Sequence, residues 1–347
     1  MEEERIGQMI QDLGQHHFQN QYHPEKKPGK EDYFLSFSGK SVLVKRESGK
    51  KVDPSDAIMS GDGLSLRCPE GEGFSFYKIK EYLSSFPKEK EEVQENALSR
   101  KGEQQAMGND WRKSFTYLFS LDGQDYYLLK ELVEFGEYLS LEELRREFKG
   151  PKSLLFLANT GMHLFHFYQK HRYCGVCGTK MEKDQRERAM RCPNCQEVYY
   201  PKIMPAVIVG IIHKDKILCT RYANRLSYLP ALVAGFIEIG ETGEEAAIRE
   251  AMEETGVPIK EVKYYKSQPW GMADDLLLGY FAKVDEEKAS FTETGEVQII
   301  RDEEELSEAV WLSREEVELQ GNDFSLTNEM MRAFKEGKLE LHGRRNG

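Results

Sequence analysis

Apolar and polar positions along the chain change period several times. Over the first hundred residues, short β-branched and aromatic runs (YFLSF at 33–37, SVLVK at 41–45, GFSFYKI at 73–79) alternate with Gly, Pro, Ser and Lys turns. That pattern predicts a strand-rich domain. A charged stretch from Pro87 to Gly108 reads as a linker or long loop, or else as a solvated helix. FTYLF and DYYLL then flank Leu121-Asp122-Gly123-Gln124, where the Asp-Gly step predicts a hairpin turn. LSLEELRREF predicts an amphipathic helix entered through a Ser140/Glu143 capping box, and a second helix is expected from about Lys152 to Arg172. In GFIEIGETGEEAAIREAMEETGV, residues 235–257, Thr242 and Glu245 form a further capping box and Gly256 is placed as the stop. The helix is expected over 243–255, with Ala247, Ile248, Ala251 and Met252 on its packed side.

At 347 residues the chain is long enough for two or three domains. Its 39% apolar and 31% charged content excludes disordered, collagenous and mucin-like classes. The longest near-unbroken apolar run, Ile203 to Ile212, is about half of a membrane span. The acidic start MEEERIG does not resemble a signal peptide, so a cytoplasmic protein with no membrane partner is expected. Lys and Arg number 48 against 60 Asp and Glu, a net charge of −12. Residues 201–347 hold most of the excess, 18 against 28, while residues 171–200 are net basic, 6 against 4. Such a surface disfavours general polyanion binding unless cations or a local basic patch reverse the field.

Four of the six cysteines fall in one pattern: Cys174-Gly-Val-Cys177, fourteen residues, Cys192-Pro-Asn-Cys195. Two Cys-x-x-Cys knuckles offer the four thiolates that tetrahedral zinc takes, with Gly175, Gly178 and Pro193 shaping the turns. A redox dithiol or two disulfides are the competing readings, disfavoured by a reducing cytoplasm and by the short hairpin joining the motifs. Four protein ligands leave no open position, so the expected zinc, one per chain, is structural. Cys68 and Cys219 read as plain thiols, and His163 with His166 as helix-surface histidines, since no third ligand accompanies their spacing of three.

Carboxylates crowd the end of the 243–255 helix. Glu250, Glu253 and Glu254 share one side at i, i+3 and i+4, where each like-charged pair costs roughly 0.2–0.5 kcal/mol. Anions in a last turn also oppose the helix dipole, by about 0.3–1 kcal/mol each, and Arg249 is the nearby cation. A bound Mg²⁺ would turn the repulsion into coordination. A plain acidic surface helix is the alternative on these residues alone.

The full spacing reads Gly235, five residues, Glu241, seven residues, Arg249-Glu250, Glu253-Glu254, Gly256 and Val257. It resembles the box of the Nudix hydrolases without a gap, with only Ala251 smaller than the usual aliphatic. The paired knuckles, the Tyr199-Tyr200-Pro201 junction into the strand PAVIVGII, the LVAGF entry and Ser267-Gln268-Pro269-Trp270 resemble the NADH pyrophosphatase branch of that family. The likeness covers about His171 to Met331. It implies an α+β chain: an N-terminal domain over 1–170, a zinc ribbon over 171–200, and over 201–347 a Nudix α/β/α sandwich around a mixed sheet. It also implies a homodimer and Mg²⁺- or Mn²⁺-dependent cleavage of NAD(H) to AMP and nicotinamide mononucleotide.

By the same resemblance, Glu250, Glu254 and Glu305 would hold the catalytic metal, with Glu253 assisting and a backbone carbonyl of Ala234 nearby. Glu241 would pair with Arg249 to orient the helix, and Glu254 or Glu305 would be the general base. Tyr200 and Phe236 would contact the nucleotide, together with Gln268, Pro269, Trp270, Asp275 and Thr327. Two positions depart from the branch. Gly271-Met272-Ala273-Asp274-Asp275 replaces an apolar Pro-Phe-Pro loop and its Ser, and Thr327 replaces an Ala. The first change leaves the choice among NADH, NAD-capped RNA, ADP-ribose and other nucleoside diphosphate conjugates open. A non-catalytic nucleotide-binding regulator is the rival from another class, and the full set of carboxylates speaks against it.

Overall fold

A computed structural model describes residues 9–48, 72–85, 111–147, 152–223, 230–319 and 324–339. Of these, residues 9–12 and those from 203 onward form one compact unit, and those between 13 and 202 form another. The charged stretch 87–108 and Cys68 lie outside the described residues.

The first unit in chain order contains β1 (Phe18–Gln19), β2 (Tyr33–Leu35), β3 (Phe37–Ser38), β4 (Ser41–Ser48), β5 (Glu72–Ser75), β6 (Tyr77–Lys78) and α1 (Ile79–Ser84). It continues with β7 (Phe115–Leu121), β8 (Gln124–Leu129), β9 (Glu137–Ser140), α2 (Leu141–Glu147) and α3 (Lys152–Lys170). Its principal sheet runs β1-β7-β8-β2-β6, and a second places β4 between β3, β5 and β9. Alternating aromatics such as Phe34, Phe115, Tyr117 and Tyr127 meet in the core, as period-2 strands require. Asp122 and Gly123 both take positive φ in the β7–β8 hairpin, the backbone that a tight two-residue turn demands. Ser140 and Glu143 exchange the reciprocal bonds of a capping box at α2. Ile79, placed in a strand run by its pattern, instead opens α1.

A three-stranded ribbon follows: β10 (Glu182–Lys183), β11 (Met190–Arg191) and β12 (Val198–Tyr199). Met181, Met190, Cys174 and Cys192 pack against Phe167 of α3 in a very small apolar cluster. So little core makes the ribbon dependent on another source of stability.

The second unit is built on β13 (Met204–His213), β14 (Lys216–Tyr222), β15 (Val233–Phe236), α4 (Gly243–Thr255), β16 (Ile259–Trp270), β17 (Asp275–Val284), β18 (Leu306–Ser313) and α5 (Leu326–Lys335). The sheet order is β16-β17-β13-β14-β18, with β15 also on β13. β13 and β17 run parallel and their neighbours antiparallel, so the sheet is mixed. Because side chains alternate, β13 feeds two cores. Val207, Val209 and Ile211 pack with Ala246, Ala247 and Ala251 of α4 on one face. Ile208 packs with Leu326, Met330 and Phe334 of α5 on the other. The result is an α/β/α sandwich. Met9 joins the α5-side core, and Ile10 N–H donates to the Phe324 carbonyl.

One expectation is corrected. Ile248 and Met252 are 44% and 47% exposed, while Ala246, Ala247, Ala251 and Glu254 are buried. The helix turns its small residues to the sheet, because Glu250 and Glu254 must reach β15 from the same side. Among the described residues, no helix is long and apolar enough to cross a membrane.

Candidate active site

The arrangement begins with α4. Thr242 and Glu245 make both bonds of the capping box, and Gly256 ends the helix at φ 65°. The N–H groups of Ile300 and Asp302 donate to the carbonyls of Thr255 and Glu254, at 2.8 and 2.9 Å. Carbonyls at the helix end are thereby satisfied, and the loop that leads to Glu305 is tied to the helix.

Gly235 makes room for chemistry. A Cβ at this position would lie 2.0 Å from the carboxyl carbon of Glu250, so the missing side chain of β15 is the seat of a carboxylate. Arg249 holds the cluster together. Its Nε and Nη2 donate to the two oxygens of Glu241, at 2.8 and 2.9 Å, and Nη2 also donates to the Phe236 carbonyl at 2.9 Å. Its Nη1 donates to Glu250 at 2.7 Å and Glu253 at 2.9 Å. One guanidinium therefore offsets three carboxylates, of which Glu250 and Glu253 belong to the crowded end of α4 and Glu241 precedes the helix. These bonds raise the Arg249 pKa still further and hold Glu241 below the usual carboxylate range.

Glu250 is displaced the other way. Burial raises its pKa, Arg249 opposes that, and the charges of Glu253 and Glu305 add to it. Glu254, 2% exposed, accepts from the Ala234 N–H at 3.3 Å. Glu305 is exposed, in the turn before β18. The carboxylates do not close on one another: among the described residues, the only group of three or more His, Cys, Asp or Glu with all ligand atoms within 4.8 Å is Cys174, Cys177, Cys192 and Cys195. Arg249 draws Glu250 and Glu253 to its Nη1. The donor set is all hard oxygen and the Gly235 seat fixes one member, which suits Mg²⁺ or Mn²⁺ rather than a soft metal.

The thiols of the ribbon behave oppositely. Cys174–Cys195, Cys177–Cys192 and Cys177–Cys195 all have Sγ atoms 3.5 Å apart. With Zn–S near 2.3 Å, a tetrahedron has edges of about 3.8 Å. The four cysteines are unpaired as disulfides.

The remaining expected contacts are spread between the two units. Tyr200 belongs to the first, exposed, its hydroxyl donating to Glu187 at 2.5 Å. Phe236, Gln268, Pro269, Trp270, Asp275 and Thr327 belong to the second. Phe236 is 53% exposed, Pro269 exposed, and Trp270 and Thr327 half-buried. Gln268 is fully buried; it donates to the Phe324 carbonyl and to Gln11, and accepts from Leu326 N–H at 2.7 Å. Its amide therefore fixes the start of α5. Gln11, which also donates to the Ser267 carbonyl, carried no signal in the sequence, because its partners lie some 256 residues away. His163 Nε2 lies 2.7 Å from the Lys202 carbonyl. Cys219 is buried in the α5-side core, which pushes its thiol up to about 12.

Residues 202–334 match the NUDIX domain family, and residues 169–200 match the NADH pyrophosphatase zinc ribbon domain. The chain belongs to the Nudix hydrolase family. It is similar to the NAD-capped RNA hydrolase NudC of Salmonella heidelberg (strain SL476), 39% identical over 166 residues, 48% of this chain and 61% of that protein. The protein of the same name from Escherichia coli O1:K1 / APEC is 39% identical over 188 residues, 54% of this chain and 69% of that one. The match thus spans about two thirds of the relatives' length. A crystal structure of a NUDIX hydrolase from Nitrosomonas europaea overlaps 48% of this chain and 91% of its own, at 20% identity and a TM-score of 0.38.

Proposed function

We propose that the second unit hydrolyses the diphosphate of NAD-type dinucleotides to AMP and nicotinamide mononucleotide. The observation that carries this reading is Glu250 seated against Gly235 and tied, through Arg249, to Glu241 and the Phe236 carbonyl. That frame fixes acidic oxygens beside a β-strand end, where a diphosphate can lie between them through shared cations.

Glu250, Glu254 and Glu305, with Glu253 in support and the Ala234 carbonyl alongside, would hold Mg²⁺ or Mn²⁺. When bound, such ions neutralise diphosphate oxygens and acidify water. The chain's own part is positional and protolytic. Arg249 keeps α4 and β15 in register, and the Ala234 N–H holds one oxygen of Glu254. A water oxygen bonds to phosphorus as the bridging P–O bond breaks. The water's proton passes to Glu254 or Glu305, and the departing phosphate keeps the bridging oxygen. The exposed Phe236 offers a face for a base or a nicotinamide ring, worth roughly 1–3 kcal/mol by stacking. In the first unit, the four thiols would bind one structural zinc.

NAD-capped RNA is the second reading, favoured by the name that the relatives carry. Both substrates present the same diphosphate. Chromatography of products from NAD⁺, NADH, ADP-ribose and NAD-capped RNA, with and without Mg²⁺, tests the reading: AMP release that requires Mg²⁺ is expected. Glu254→Gln should lower turnover by about 10²–10⁴-fold with unchanged thermal melting. Near-normal turnover in that variant would overturn the assignment.

A further inference from the structure

Residues 9–12 fold with the second unit, although the chain described between 13 and 202 belongs to the first. Met9 and Ile10 are 6% and 2% exposed, and Met9 sits in the α5-side core, so apolar contact anchors the segment. Asp12 closes it on itself: its Oδ2 accepts from Met9 N–H at 2.9 Å, and its own N–H donates to the Met9 carbonyl at 3.0 Å. What this small turn presents is the amide of Gln11. Its Nε2 donates to the Ser267 carbonyl at 3.0 Å, and its Oε1 accepts from Gln268 Nε2 at 3.3 Å.

Gln268 needs that partner. A primary amide carries two N–H donors, and this one is sealed from water, so each must find an acceptor inside the protein. The Phe324 carbonyl takes one at 2.7 Å, and Gln11 takes the other. The Gln268 oxygen holds Leu326 N–H at 2.7 Å, and the Phe324 carbonyl also accepts from Ile10 N–H at 3.3 Å. A continuous run of amides therefore leads from the end of β16, through Gln11 and Gln268, to the residues that open α5. β16 is the outermost strand of its sheet, and its register on β17 shifts between Tyr264 and Ser267. The stretch from Ser267 to Trp270 thus lies beyond a bulge and takes part of its aim from Gln11.

Resting on the diphosphatase reading above, we infer that Gln11 is a positioning residue: it sets the spacing between the Trp270 end of β16 and the Thr327 turn of α5, and thereby how tightly a dinucleotide is held. The family resemblance places both of those elements against the nucleotide, and Gln11 itself touches neither substrate nor metal. With the bridge intact, the two elements stand at a fixed distance before substrate arrives. Without it, a Gln268 N–H loses its acceptor and the substrate must bring the two elements together, a cost drawn from binding. The diphosphate frame is separate. Gln11 bonds to Met9, Ser267 and Gln268, whereas Arg249 bonds to Glu241, Glu250, Glu253 and Phe236, with no member in common. Gln11 therefore acts on KM and not on kcat.

The test is steady-state hydrolysis of NAD⁺ and ADP-ribose with Mg²⁺ by the full chain, unaltered and as Gln11→Met, which fills a similar volume without the amide's hydrogen bonds. Gln11→Glu is the second variant: it keeps the shape and the acceptor for Gln268 but, ionised, has no donor for the Ser267 carbonyl. KM for both substrates should rise about tenfold in Gln11→Met and about threefold in Gln11→Glu, with kcat within about twofold. Hydrogen exchange at Leu326 N–H should quicken in Gln11→Met while β13 keeps its protection. Unchanged KM in both variants overturns the inference, even where the melting temperature falls, since Gln11 then serves stability alone. A fall in kcat at constant KM, or equal loss of protection in β13, also overturns it. In each of those cases the unaltered protein still cleaves its substrates and the diphosphatase reading stands. Failure of the unaltered protein to cleave either substrate removes that reading and this inference with it.

Discussion

Two clusters of acidic ligands, one of thiols and one of carboxylates, are built on opposite plans. In the ribbon, four Sγ atoms stand within 4.8 Å of one another and share the space with almost no apolar core. In the second unit, the carboxylates of α4 are spread along a guanidinium and seated on a well-packed sheet. In the first arrangement protein thiolates would fill the coordination sphere of a zinc, so that ion would only stabilise. On the reading proposed above, the second would leave oxygen positions for a substrate, and its fold stands on the sandwich core. Ligands that close on themselves hold a structure; ligands kept apart by a counter-charge are free to change partners.

The contrast breaks most sharply if the closed cluster is opened. Cys192→Ser, or chelation of the metal, should remove on the order of 10 kcal/mol of zinc-linked stability from the ribbon. Metal analysis and limited proteolysis would show cleavage within residues 171–200, while strands of the second unit keep their protection from hydrogen exchange. Equal loss of protection in both units would contradict the separate sources of stability. Smaller is the effect of filling the seat at β15. Gly235→Ala places a methyl 2.0 Å from the Glu250 carboxyl, so Glu250 must leave its place. Turnover should fall about 10²-fold with little change in thermal melting, because the group that must move is the flexible end of Glu250. Normal kinetics in this variant would show that the seat is not part of the chemistry.

The smallest effect concerns Asp275. Burial and the neighbouring charge of Asp274 lift its folded-state pKa to about 6, above the unfolded value of 3.8. An acid whose pKa is raised on folding leaves stability untouched well below pH 4 and lowers it as pH climbs through that window, with the full cost present above about pH 7. Asp275→Asn should therefore raise the melting temperature at pH 8, by the equivalent of about 1–2 kcal/mol, and change it little at pH 4. A rise of the same size at both pH values would exclude the charge as the cause.

Local signals were legible wherever the physics is local. The hairpin at Asp122-Gly123, the capping boxes at Ser140 and Thr242, the helix bounds at Gly243 and Thr255, and the paired cysteine knuckles all depend on residues within a few positions of each other. Burial of α4 was less legible. Periodicity put Ile248 and Met252 inward, whereas the sheet takes Ala246, Ala247 and Ala251, since small residues let the helix approach closely enough for Glu250 and Glu254 to reach β15. Nothing near Gln268 in the chain announced that its amide would bind Phe324, Leu326 and Gln11.

By itself, then, the sequence determined the elements, the ligand types and their spacing, because caps, turns and i, i+4 neighbours are set by bond geometry and short-range charge. The seating of Glu250 on Gly235, the sharing of Arg249 among three carboxylates, and the unmatched carboxyl of Asp275 beside Trp270 were decided only by tertiary structure. Each depends on which strand lies next to which, and on how much water that leaves around a charge. Those quantities exist only once distant segments have packed.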